Sequence, residues 1–433
     1  MLSRRTLIGS TAVLAAGCGG LDLPFPEFGT PKITPLTWVS RPVPNLNTGP
    51  GMTSFLQQLQ RVERSLSEDT ESPIGPTRGR YSLTLEYYET YAGSYSDPES
   101  PHFLSPKHLA EWLKEVDADL ITLWSDEVRA LENHGVLLPL DQFGGANGED
   151  FEREFFAPVL EPYRESGALY ALPLNAFPLM LYYDADYFAQ VGVTPPDRSW
   201  DWDVLVENAL KLTERGDDGT VERWGLESLG EAIWWALWQN EAEMADVLTS
   251  QCRLQEPPAL EAIEFVRGLI HSHRVSPPAL GADRFELLYN SPRPPAMVYS
   301  TFPLDLIHFN YRCAVLPMGK VRSIPVETYP GIAIVAETAA PEAAYAALRG
   351  LVRSFQQFAN VPVEKEAMGR IGRIRRDLRP EEVAAMQQSM ELGRLLPESE
   401  TQRTAMRSIL DALVRGDDVA AVVNQGCTAL YGA

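Results

Sequence analysis

Apolar and polar positions along this chain alternate between two periods, and the order in which they do so predicts a mixed architecture. Pro35-Leu-Thr-Trp-Val-Ser reads as a first strand, and Ser54 to Ser67 as an amphipathic helix with Phe55, Leu56, Leu59, Val62 and Leu66 on one face. Tyr81-Ser-Leu-Thr-Leu-Glu-Tyr-Tyr alternates as a second strand, and His108 to Val116 as a helix. Asp119-Leu-Ile-Thr-Leu-Trp is almost continuously apolar, which fits a strand of a parallel sheet covered on both faces. Strand alternating with helix over this region argues an α/β domain.

Gly167-Ala-Leu-Tyr-Ala-Leu-Pro and Leu179-Met-Leu-Tyr-Tyr-Asp are again strand-like, separated by Asn175-Ala-Phe-Pro. The pattern then turns helical, with runs at Val204 to Thr213, Glu231 to Thr249 and Ala259 to His271. Pro292-Arg-Pro-Pro-Ala-Met-Val-Tyr and Cys313-Ala-Val-Leu-Pro-Met return to strand character. From Ala340 onward the chain is helical, interrupted near Pro362, Pro380 and Pro397.

The first residues read as an address rather than as structure. Arg4 and Arg5 precede an apolar run, Thr6 to Gly17, too short to span a bilayer as a helix. Ser3-Arg4-Arg5 with Leu7-Ile8 resembles a twin-arginine export signal, and Leu14-Ala-Ala-Gly-Cys18 resembles the lipobox of bacterial lipoproteins. The resemblance implies cleavage before Cys18 and a lipid on its thiol, although Ala15 stands where leucine is usual. A cleaved signal with an incidental cysteine is the plainer reading. Gly19-Gly20-Leu-Asp-Leu-Pro-Phe-Pro and the residues after it have the Gly and Pro content of a tether.

The chain has 433 residues, too many for one core, so two domains are expected. Its formal net charge is −22, and losing Arg4 and Arg5 with the signal, and no acid, takes it to −24. Such a surface disfavours nucleic acid and anionic lipid as partners. Beyond Cys18, Cys252, Cys313 and Cys427 lie far apart and lack metal-ligand spacing; one disulfide or three buried thiols are both open readings.

The order of these segments resembles the family 1 extracellular solute-binding proteins, the group that includes maltose-binding proteins. The resemblance is carried by Asp119-Leu-Ile-Thr-Leu-Trp-Ser-Asp through Gly135-Val-Leu-Leu-Pro-Leu-Asp, and by Gly167-Ala-Leu-Tyr-Ala-Leu-Pro through Leu181-Tyr-Tyr-Asp to Ser199-Trp-Asp-Trp. Pro295-Ala-Met-Val-Tyr, Ala314-Val-Leu-Pro-Met-Gly and Tyr329-Pro-Gly-Ile-Ala-Ile continue it. It implies a two-lobed α/β fold hinged around a cleft, with residues 1–17 as signal and 18–34 as linker. Lobe 1 is expected from 35–145 with about 295–340, and lobe 2 from about 146–294 with 341–433. It further implies an exported protein of an ABC importer, anchored by lipid to a bacterial membrane facing the periplasm or cell exterior. Such a protein binds a sugar or oligosaccharide as a monomer and hands it to permease subunits. A sensor or scaffold of the same fold, or a binder of peptide, polyamine or uronate, is the alternative.

A sugar offers apolar faces for stacking and hydroxyls for polar groups, and the nine tryptophans matter in that light. By resemblance Trp124 matches a stacking residue and Asp126 a hydroxyl acceptor, against the competing reading of a core indole and a helix cap. Trp235 and Trp238 sit in a run matching a helix that lends an aromatic to the second lobe. Trp38, Tyr91 and Tyr95 occupy positions that face the cleft in the family, with burial the competing reading. Asn175 and Phe177 lie in a loop that touches substrate there, Phe177 standing where maltose-type members have an acid. Phe302 falls at a stacking position, and Tyr329 and Gly331 precede a return strand where backbone can approach ligand.

No G-x-S-x-G, H-E-x-x-H, Walker or Rossmann pattern is present, so no enzyme, cofactor or metal is expected. His271-Ser-His273 reads as a helix end, and Asp184 with Asp186 as turn residues. Arg370 to Arg376 is a basic cluster within an acidic protein, a solvated helix face by default, with a docking contact to the transporter or to lipid headgroups as the alternative reading.

Overall fold

The computed structural model describes residues 34–40, 81–87, 106–143, 151–229, 232–246, 251–301, 309–328, 330–356, 361–396 and 400–431. The signal segment with Cys18, the linker and the helix expected over Ser54 to Ser67 lie outside the described residues. Strands β1 (Thr34–Ser40) and β2 (Tyr81–Tyr87) run parallel, in register from Thr34 against Tyr81 to Ser40 against Tyr87. Helix α1 (Pro106–Glu115) leads to β3 (Leu120–Leu123), whose residues are all buried, and α2 (Ser125–Glu132) follows directly.

Next come β4 (Ala171–Pro173), β5 (Ala176–Pro178) and β6 (Met180–Asp184). Asp184 caps α3 (Ala185–Val191), its Oδ1 accepting from the backbone of Asp186 and Tyr187, and Gly192 at φ 78° closes the helix. Its other oxygen accepts from Arg223 Nη2 at 2.7 Å, and both side chains are nearly inaccessible. The guanidinium lies 3.8 Å from the Tyr187 ring centroid. Burial, then the Glu214 carboxylate, push the Tyr187 phenol up to about 12. The pair Asp184 and Asp186 is therefore cap and neighbour, as a turn reading expects.

Helices α4 (Trp202–Leu212), α5 (Ala232–Gln239), α6 (Pro257–Arg267) and α7 (Gly281–Tyr289) form the central run. The expected helix over Glu231 to Thr249 is cut short. The Asn240 carboxamide donates to the Pro258 carbonyl, Glu241 adopts φ 59°, and Ala245–Asp246 pairs with Gln251–Cys252 instead. Strands β7 (Met297–Ser300), β8 (Tyr311–Ala314), β9 (Ile324–Thr328) and β10 (Gly331–Ile334) follow. The tail is α8 (Pro341–Gln356), α9 (Lys365–Ile374), α10 (Pro380–Glu391), β11 (Gly393–Leu395), α11 (Glu400–Arg415) and α12 (Val419–Tyr431).

Three sheets organise these elements. The first has the order β2-β1-β3-β10-β4, with β10 antiparallel to both β3 and β4. The second is β7-β6-β8, antiparallel throughout, and the third is β11-β9-β5. Of the segment 295–340, expected with the first lobe, β10 joins the first sheet, whereas β7 and β8 flank β6 in the second. Likewise α8, expected with the second lobe, lays Ala344, Ala347, Leu348, Leu351, Val352 and Phe355 against the first sheet. Strand pairing over such separations is a tertiary choice that local pattern does not encode. Cys252 and Cys427 form a disulfide, Cα atoms 5.5 Å apart, tying α12 to the central hairpin, and Cys313 is a buried free thiol.

Candidate functional site

Two chain segments run side by side from the first sheet into the third. The first is β4 through Leu174 and Asn175 into β5; the second is β9 through Pro330 into β10. They are antiparallel, with Gly331 opposite Pro173 and Thr328 opposite Ala176. A third passage leaves α8 at Gln356, whose Nε2 donates to the Leu174 carbonyl at 3.0 Å while Oε1 accepts from Val363 N at 2.7 Å. These passages connect the two halves of the fold, and each backbone group named is satisfied inside the protein.

The register places Trp124 beside them. Leu123 of β3 is opposite Gly331, which is opposite Pro173, so the chain leaves β3 into Trp124 at the sheet edge where the crossings begin. Trp124 occupies the N-cap of α2: its backbone N donates to Glu127 Oε2 at 2.8 Å, and Glu127 N returns to its carbonyl. Its indole is half-buried. The ring is held at the carboxyl end of a strand, where open α/β sheets present ligand-facing groups. Asp126 follows within α2; its side chain, like Tyr91, Tyr95, Phe302 and Tyr329, lies outside the described residues.

Four expected contacts are core residues in this structure. Trp38 is buried and its Nε1 donates to Thr122 Oγ1 at 2.9 Å, which completes its polar needs within the first sheet. Phe177 is buried opposite Glu327. Trp235 meets Tyr299 edge-on at 5.0 Å and Trp202 at 5.6 Å, and Trp238 lies 5.4 Å from Trp234 under the Arg394 guanidinium. The reason is that α5 is apolar all round, from Ile233 to Trp238, and such a helix is enclosed rather than half-exposed. At Gly331 a side chain would meet the Tyr163 ring at 2.7 Å and the Leu172 carbonyl, so the close approach there is protein on protein. Asn175 is buried in the first crossing, its Oδ1 2.9 Å from Ala176 N.

The structure adds a polar group that sequence reading missed. Where β7 ends, Thr301 Oγ1 donates to Glu327 Oε2 at 3.3 Å, next to the crossing at Thr328. Behind it Glu227, fully buried, accepts from Leu229 N and from Arg284 Nη2, each at 2.8 Å, and the same guanidinium nitrogen donates to the Tyr299 carbonyl. An acid between Val326 and Thr328 in an otherwise strand-like run was a signal available in the sequence. Glu227 and Arg284 carried none, being brought together across 57 residues. Among the described residues no group of three or more His, Cys, Asp or Glu could hold a metal ion, and no helix is long and apolar enough to cross a membrane.

Crossing segments between sheet-and-helix bodies define the fold class of two-lobed solute-binding proteins. Residues 114–272 match the family model of bacterial extracellular solute-binding proteins, the stretch holding most of the motifs quoted above. Similar solved structures include a cyclic alpha-maltosyl-1,6-maltose binding protein from Arthrobacter globiformis, at 14% identity and TM-score 0.64, covering 93% of this chain and 99% of that one. UspC of M. tuberculosis is 18% identical at TM-score 0.63, covering 92% and 100%. An ABC substrate-binding protein from Listeria monocytogenes in complex with cycloalternan is 14% identical at TM-score 0.61, covering 92% and 98%. At these identities the likeness establishes the fold.

Proposed function

We propose that this chain is the extracytoplasmic solute-binding component of an ABC importer, holding a sugar or oligosaccharide between two lobes and presenting it to membrane permease subunits. The observation that carries the reading is the half-buried Trp124 at the end of β3, beside the crossing segments that connect the first sheet with the third. The names of similar structures, several of them binders of maltose-type saccharides, support the ligand class. Lobe 1 is taken as the first sheet with α1, α2 and α8, and lobe 2 as the second and third sheets with α3 to α7 and α9 to α12.

In this reading Trp124 stacks on a sugar face, and Asp126, Thr301 and Glu327 offer hydroxyl partners from the two lobes. Tyr91, Tyr95, Asn175, Phe302 and Tyr329 are retained as candidates on the strength of the sequence resemblance alone. Ligand touching both lobes favours the closed arrangement through contacts available there alone. The chain works as a binding protein, exported and tethered by a lipid on Cys18, as a monomer. The Cys252–Cys427 disulfide supports an oxidising compartment.

The test is thermal unfolding with mono- and oligosaccharides, against amino acids, polyamines and uronates. A ligand that binds the folded form alone raises the midpoint with concentration. A shift from one saccharide class, abolished in Trp124→Ala, supports the reading; a shift from a charged control instead assigns another cargo.

A further inference from the structure

Of the arginine run of the tail, Arg370 and Arg373 lie on the outer face of α9 and Arg375 and Arg376 follow its end, and the helix's own stripe explains what sits among the charges. Ala367, Met368 and Ile371 pack inward. One turn on, the same stripe reaches Ile374 where the helix ends and the body no longer covers it; at 54% it is the most exposed large hydrophobic side chain among the described residues. Arg370, Arg373 and Arg376 are exposed around it. Arg370 lies 3.2 Å from Glu366, and Arg375 pairs with Asp377 at 2.8 Å. Among the described residues Arg373 and Arg376 have no carboxylate within ion-pair distance. From Gly369 to Arg376 the chain carries four arginines and no acid, within a protein of net charge −22.

We propose that this patch docks on an anionic phospholipid surface, with Arg370, Arg373 and Arg376 on headgroup phosphates and Ile374 at the boundary with the acyl chains. Guanidinium groups pair with phosphate in two-pronged geometry, and an apolar tip ringed by arginine suits the membrane interface. A net charge of −22 opposes a general approach to an anionic membrane, so docking rests on a local basic patch such as this one. A single isoleucine is too small to hold a protein of this size, so docking depends on the arginines and weakens with salt. The inference is independent of which solute the protein carries.

The test uses the full chain with Cys18→Ser, so that no acyl group forms, and a spin label on Gly369→Cys, an exposed position on α9 with no atom within 4 Å of an added Cβ. The label reads the patch itself, whichever way the chain's first residues associate with lipid. On vesicles of phosphatidylcholine mixed with phosphatidylglycerol it is expected to become protected from a water-soluble paramagnetic quencher, and not on phosphatidylcholine alone. Protection should fall about fivefold for each arginine removed in Arg370→Gln, Arg373→Gln and Arg376→Gln, and also in Ile374→Asp. Equal protection on both vesicles overturns the proposal, as does a label that stays fully accessible on anionic vesicles. Protection that requires co-reconstituted membrane proteins overturns it in favour of a protein partner. Unchanged circular dichroism melting of the glutamine variants guards against loss of fold.

Discussion

Gln356 and Leu174 are joined across 182 residues by a 3.0 Å hydrogen bond from the Gln356 carboxamide to the Leu174 carbonyl, and the oxygen of the same carboxamide takes the Val363 N–H at 2.7 Å. One buried side chain thus satisfies two backbone groups on two different passages between the halves of the fold. Gln356→Leu keeps the volume and removes both partners, stranding a buried carbonyl and a buried N–H. Each costs about 1–3 kcal/mol. Denaturant unfolding should show a loss of about 2–5 kcal/mol, whereas an equal substitution at exposed Gln387 should cost under about 0.5 kcal/mol. A Gln356→Leu protein as stable as its parent would remove Gln356 from the set of residues that pin the crossings.

Trp124 is the expected stacking residue that the structure leaves partly exposed. Its backbone, not its side chain, makes the N-terminal bond with Glu127, so Trp124→Ala leaves the start of α2 intact. Saccharide affinity measured by titration calorimetry should fall at least about tenfold, since stacking on an aromatic face is worth about 0.5–1.5 kcal/mol and the lost contact area adds to it. Thermal midpoint without ligand should also fall, because most of the side chain is buried, so affinity is compared at a temperature where both proteins are folded. Trp235→Phe serves as contrast: it lies in the core, so its effect should appear in stability and leave affinity near the parent value.

How much of this was legible beforehand depended on whether the determinant was local. β3 could be read because the short run Leu-Ile-Thr-Leu, three apolar residues and a β-branched threonine, has few other solutions, and the helical tail with its break near Pro380, where α10 begins, could be read from its period and its proline. Trp38 could not be placed, since a central strand is enclosed on both faces and alternation says nothing about which face is wet. The tryptophans of α5 posed the same problem in a helix: with every side apolar, no moment points to a cleft. Pairing of Met297 with Tyr183, packing of α8 on the first sheet and the meeting of Glu227 with Arg284 arise between segments distant in sequence, and their cost and gain are settled by tertiary packing.

The choice among three cysteines was likewise beyond sequence, and the structure makes it chemically checkable. With Cys18→Ser, denatured and unreduced protein should release one thiol, that of Cys313; after reduction it should release three. Burial, then Glu382, push the Cys313 thiol upward, so it should resist alkylation while the protein is folded. The disulfide closes a sequence separation of 175 residues, and paired Cys252→Ser and Cys427→Ser should lower stability by about 2–4 kcal/mol. Two thiols more in the unreduced protein would mean the bridge does not form.

Glu364 supplies a pH signature at the third passage. It follows Val363, forms a bridge with Phe155, and its Oε1 has no hydrogen-bond partner among the described residues. Burial raises its carboxyl above the ordinary value, outweighing the lowering by Arg349 and Arg353. A folded-state value above the unfolded one means that its protonated form is the better accommodated one. Its contribution to stability is therefore fully present below the unfolded pKa and is lost as pH rises through the folded value. Glu364→Gln mimics the protonated group at every pH. It should raise the thermal midpoint at neutral pH, and the gap from the parent should close as pH falls below the ordinary glutamate range. Midpoints measured at pH values on either side of that range decide the matter: a gap that widens in acid would mean that Arg349 and Arg353 dominate and the carboxylate is the favoured form.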